Sequence, residues 1–225
     1  PECERLDDSG TLTYLHGSIS TKRHEVAAPE TPIFLDALLA DCGLTGGLEP
    51  MLGDDHLRIV SVRGFPPASE PGFLDALNRL GFSYRWTTRF IALDKAAAAR
   101  EITKYRRQWF AKRKSIAAIV KETLFNEESV LLDADADNKA ADADAALQEL
   151  GADDVAFGYL TCAVIVSDVD ASLADDKAKE IERVLNGRGF VAIRESVNAV
   201  DAFLGSLPGH LYANIRAPLV HTLNL

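Results

Sequence analysis

Hydrophobic and polar positions alternate in two different periods along this chain, and the switch between them lays out its elements. Leu57 to Val62 (LRIVSV) runs apolar-polar like a half-buried strand. Thr11 to Ser18 (TLTYLHGS) has the β-branched and aromatic bias of another strand, and Phe82 to Leu93 reads as a long one. Helices are expected between them. One spans Thr31 to Cys42, with Thr31 as cap, Pro32 in the first turn and Gly43 as terminator. A second spans about Pro71 to Leu80 and stops at Gly81.

From Asp94 the pattern changes. Lys95 to about Leu124 contains no Gly or Pro and reads as one long helix. In it Ile102, Tyr105, Trp109, Ile116 and Val120 recur at helical spacing and should form a buried stripe. Residues 126–138 read as a loop or hinge. A helix at about 139–150, a strand at 155–166, a helix at about 171–186, a strand at 190–195 and a short helix at about 199–205 complete the series. The fold class is therefore α/β (α+β). We expect two open lobes of alternating strands and helices, approximately 1–130 and 131–225, the second with a ferredoxin-like β-α-β core at 155–195.

PIFLDAL at Pro32 and PGFLDAL at Pro71 differ at one position and suggest either a duplicated β-α unit or two similar Pro-first helix starts. With no third copy, the second account is favoured.

Composition narrows the function classes. A hydrophobic fraction of 47% and a charged fraction of 26% suit a folded globular chain. Three cysteines (Cys3, Cys42, Cys162), far apart and without a C-x-x-C, point to reduced thiols rather than disulfides or a zinc site. Leu160 to Val166 is far too short to span a bilayer. The opening PECERLDDSG is acidic where a signal peptide is basic then apolar, and it lacks an initiating Met; we expect a sequence cut from a longer chain.

Catalytic motifs are scarce. No G-x-x-x-x-G-K-[ST] occurs to cradle a phosphate. Gly187-Arg-Gly189-Phe-Val-Ala192 spells a loose dinucleotide fingerprint, but it follows a helix and opens a strand, so its glycines read as helix terminator and turn. Asp133, Asp135, Asp137 and Asp144 match four positions of a calcium loop, yet Asn138 replaces the loop's Gly and Asp144 its longer Glu. The preferred reading there is a solvated hinge entering an acidic helix start. His16, His24, His56, His210 and His221 show no ligand spacing, and no G-x-S-x-G elbow is present. His210, in the closing GSLPGH loop, is either an acid-base group or an ordinary loop residue.

Charge supplies the strongest local signal. The net charge is −10, yet KYRRQWFAKRK gathers Lys104, Arg106, Arg107, Lys112, Arg113 and Lys114 with no acid among them. Trp109 and Phe110 adjoin this cationic surface. It suits an anionic membrane, an acidic protein surface or nucleic-acid phosphates, or is simply a solvated face; the negative remainder ranks nucleic acid below the other two partners.

Several long stretches occur in order: YLHGSISTKRH, TGGLEPMLGDDHLRIVSVRGFP, RWTTRFIALDK, QWFAKRKS, DADNKAADADAALQELGADDVAFGYLT and GSLPGHLYANIRAPLVHTLNL. They resemble TrbE-type conjugal-transfer proteins of the CagE/TrbE/VirB family of type IV secretion ATPases. The resemblance implies the N-terminal domain of such an ATPase, ahead of a RecA-like motor domain that is absent from this sequence. ATP and Mg would belong to that motor, with no cofactor and no catalytic or metal residue in the present chain. It further implies docking at the cytoplasmic face of the bacterial inner membrane. Partners would be secretion-system inner-membrane proteins, further copies of the full-length protein, and an anionic membrane surface. His210 then becomes a loop residue and the last segment a connector. The competing reading is a nucleic-acid-binding module built on residues 104–114.

Overall fold

A computed structural model describes residues 5–66, 71–105, 107, 142–152, 154–213 and 215–222. The mixed α/β class expected from the sequence is what it shows: helices and an antiparallel sheet. In chain order the elements begin with α1 (Asp8–Ile19), α2 (Leu35–Leu39), β1 (Leu44–Thr45), β2 (Met51–Leu52) and β3 (Asp55–Gly64). A 3-10 turn at Leu77–Arg79 precedes β4 (Arg85–Ala92). Helical residues 95–105 (α3) and 142–151 (α4) follow. The series closes with β5 (Phe157–Asp168), α5 (Ala171–Gly187), β6 (Val191–Arg194), α6 (Ala199–Gly205) and β7 (Leu219–His221).

The strands pair in the order β1-β2-β3-β5-β4, with β6 on β3 and β7 on β5. The expected β-α-β core is present as β5-α5-β6, but its strands do not touch. Both run antiparallel to β3, which lies between them: Val60 faces Val164 on one side and Arg194 on the other. This is a split β-α-β arrangement whose middle strand comes from about 100 residues earlier in the chain.

The backbone groups into two compact units, Pro1–Arg89 with Thr161–Pro218, and Phe90–Leu160 with Leu219–Leu225. The first unit contains the β3-β5 pairing. Leu57 to Val62 is buried at every position instead of every second one. Both faces are covered. α6 packs on the Leu57 and Ile59 side with Ala163, Ile165 and Phe203. On the other side α5 presents Ala174, Ala178, Ile181 and Leu185, spaced four, three and four, as a core-facing stripe. Arg58 shares that side and is held at its guanidinium by Asp175, Glu49 and the Leu57 carbonyl. The second unit has its own core, Ala98, Ile102, Leu150, Val155 and Phe157.

Three expectations fail locally. Residues 11–18 form most of α1, not a strand. Asp7 caps this helix, its Oδ1 accepting from the Gly10 amide at 2.7 Å, and the buried positions are His16 and Ser18, not the apolar residues. The helix expected at 31–42 shrinks to Leu35–Leu39. The one expected at 71–80 is a run of turns ending in the 3-10 segment, so PIFLDAL and PGFLDAL adopt different structures. The remainder of the long basic helix beyond 107 and the hinge at 126–138 lie outside the described residues.

Candidate functional site

The described residues include only a portion of the basic block. Lys104 and Arg107 are exposed, and Lys104 Nζ lies 3.6 Å from Glu101, one turn earlier. Tyr105, expected in the buried stripe with Ile102, is 40% exposed. Arg106, Trp109, Phe110, Lys112, Arg113 and Lys114 lie outside the described residues, as do Asp133, Asp135 and Asp137 of the calcium-like stretch. Gly187 ends α5 and Gly189 adopts a positive φ of 83° in the turn to β6, so the fingerprint-like stretch is a helix terminator and turn. The His210 ring makes an edge contact with Tyr212, and its buried Nδ1 has no hydrogen-bond partner among the described residues. Nothing there is arranged as an acid-base pair.

Two features that the sequence did not announce lie in the first unit, both built on α1. The first is a cavity of about 680 Å³ between α1 and the ends of β3 and β5, lined by Tyr14, Ser18, Arg23, Asp55, Asp168 and Arg85 among others. Arg85 governs its chemistry. One guanidinium nitrogen donates to the Ser18 carbonyl and another to Ser206 Oγ, each at 2.7 Å, while the group lies over the Phe203 ring. Its Nε is buried without a partner among the described residues. Burial lowers the Arg85 pKa from its ordinary value, because desolvation penalises the cation. No carboxylate pairs with it among the described residues. Asp168 is already committed to Lys177 at 2.7 Å, and that bond is the main cause of its lowered pKa. Asp55 accepts from Ser167. The cavity thus has a mixed polar and apolar lining, with a half-buried cation suited to an acidic side chain or another anionic group.

The second feature lies where α1 ends. His16, in the last turn, is 2% exposed; its Nε2 stands 3.2 Å from Asp41 Oδ2, just beyond α2. The His24 ring meets the His16 ring at 4.3 Å between centroids, inclined by 65°. Lys22 Nζ approaches the same carboxylate oxygen at 3.4 Å. The Ser20 hydroxyl, with His16 and Lys22 close by, holds the Asp41 carboxyl well below the usual carboxylate range. The neighbouring Cys42 thiol contacts the Ser20 hydroxyl at 3.3 Å, and this contact leads the causes that lower its pKa. Sequence spacing hid the cluster because residues 11–18 read as a strand, which separates His16 and His24 instead of turning them together.

Comparison with known proteins then shows what the chain is similar to. Residues 121–216 match the CagE, TrbE, VirB family, described as a component of the type IV transporter system. The chain is 35% identical over 214 residues to a Sinorhizobium fredii protein, the second segment of a probable conjugal transfer protein TrbE, covering 95% of this chain and 32% of that protein. It is also 35% identical over 212 residues to the conjugal transfer protein TrbE of Rhizobium radiobacter, covering 94% of this chain and 25% of that one. The resemblance read from the sequence is borne out: the chain is similar to TrbE proteins over nearly its whole length. It spans about a quarter to a third of the length of these curated relatives.

Proposed function

We propose that this chain is the assembly and docking portion of a type IV secretion ATPase, working through its surfaces. The observation that carries this reading is the similarity to TrbE proteins along 95% of the chain, in a sequence with no G-x-x-x-x-G-K-[ST]. Hydrolysis of ATP, with Mg, would belong to a motor domain outside these residues and would power pilus assembly and substrate transfer. Two structural features support docking. Both faces of β3 are already covered within the first unit, and the cavity offers a partly desolvated cation to a partner's acidic group. Its partners would be inner-membrane components of the secretion machine and further copies of the full-length protein, at the cytoplasmic face of the membrane. No described helix is long and apolar enough to cross that membrane.

The test compares this chain with a version extended through the expected motor domain, assaying ATP hydrolysis and capture of purified inner-membrane components. We expect turnover only from the extended protein and capture by both. Turnover by the present chain after stringent purification would overturn the assignment.

A further inference from the structure

We propose that His16, His24 and Asp41 form a binding site for a first-row divalent metal ion, zinc foremost. Among the described residues this is the group of His, Cys, Asp and Glu side chains whose ligand atoms converge, all lying within 4.8 Å of one another. The spacing is chemically telling. Around a tetrahedral ion with ligands at about 2.1 Å, neighbouring ligand atoms sit about 3.4 Å apart. His16 Nε2 and Asp41 Oδ2, at 3.2 Å, already stand at that distance.

A second observation points the same way. His16 is 2% exposed, and among the described residues neither of its ring nitrogens makes a well-formed hydrogen bond. An imidazole buried with both nitrogens unsatisfied is destabilising. Coordination through Nε2 would satisfy the nitrogen that faces Asp41. The opposing group is Lys22, whose ammonium lies 3.4 Å from Asp41 Oδ2. Its side chain is 59% exposed and also holds the Asp41 carbonyl at 3.1 Å, so it can withdraw into solvent as the ion enters.

Two imidazoles and one carboxylate favour zinc and its neighbours over magnesium or calcium, which take all-oxygen sets. Three protein ligands leave a fourth position to solvent. The ligands come from the end of α1, the segment after it and the loop beyond α2, so the ion would link three stretches of the chain.

The experiment titrates the untagged, metal-stripped chain with Zn²⁺ alone, by calorimetry and thermal unfolding, and with Co²⁺ by visible absorption. One zinc per chain should bind, raising the unfolding midpoint by about 5–10 °C at a hundredfold excess over Kd. Because His16 is buried and its loss risks the fold, the deciding variants are the exposed His24→Gln and Asp41→Asn. Each should weaken binding by at least about tenfold, while Lys22→Met, which removes the competing cation, should strengthen it. No one-to-one binding by the wild-type chain, or binding equally tight in both ligand variants, overturns the assignment.

Discussion

At the scale of single residues, two polar side chains in the β3 layer carry energetic weight that their neighbours do not. Arg58 is 9% exposed, and its guanidinium meets Asp175 and Glu49. Arg58→Ala removes all of these bonds and leaves a cavity beside α5. Because Asp175 and Glu49 are themselves 43% and 69% exposed, water re-solvates them in part. We expect a loss on the order of 1–3 kcal/mol in urea unfolding. Asp168 makes a prediction about acid. Its bond to Lys177, first among the causes, sets its folded pKa below the ordinary 3.8. The stability this contributes is present above 3.8 and disappears as pH falls through the lower folded value. Asp168→Asn keeps an oxygen for the Asp170 amide but removes the titration, so the acid side of the stability-pH curve should flatten. An unchanged slope in the variant would mean that the pair does not contribute.

Secondary elements were legible where the pattern of burial and the pattern of apolar residues coincide. α5 and α6 run as read, Ala171–Gly187 and Ala199–Gly205, since Asp170 caps the first and its apolar stripe faces the sheet. β3, β4 and β5 also stood within two or three residues of their expected ends. α1 was not legible, because its buried face is His16 and Ser18, and its β-branched and aromatic residues mimic a strand. The cluster at its end went unseen for the same reason. The twin PxFLDAL segments fail differently: one sequence serves as a short helix and the other as turns, so surroundings override local preference. Packing between strand and strand was invisible too. A Cβ on Gly158 of β5 would stand 2.5 Å from the Ile91 carbonyl oxygen of β4. That contact is with backbone and cannot swing aside, so Gly158→Ala should cost more than about 2 kcal/mol by thermal unfolding. An Ala variant as stable as the parent would show that β4 and β5 yield there.

Across the whole molecule, charge is distributed against its own total. The chain carries 24 basic and 34 acidic residues, yet six of the basic ones fall between Lys104 and Lys114. Fields from surface charges fade over about 8 Å at physiological ionic strength. A partner touching this block therefore meets its cations first, and acidic groups farther away than that repel it strongly only at low salt. Each cation near an anionic bilayer contributes about 1 kcal/mol. Neutralising Arg106, Arg107 and Lys112 together should thus weaken binding to phosphatidylserine vesicles by roughly a hundredfold, with neutral vesicles bound by neither form. DNA sets the contrast. A nucleic-acid module using about six phosphate contacts would lose affinity with a log-log salt slope near about −5, and the same triple variant would reduce that slope by about half. Sedimentation with vesicles and DNA titration across salt, run on both proteins, separate the two uses: vesicle binding without a steep DNA slope supports membrane docking, and the reverse result transfers the block to nucleic acid.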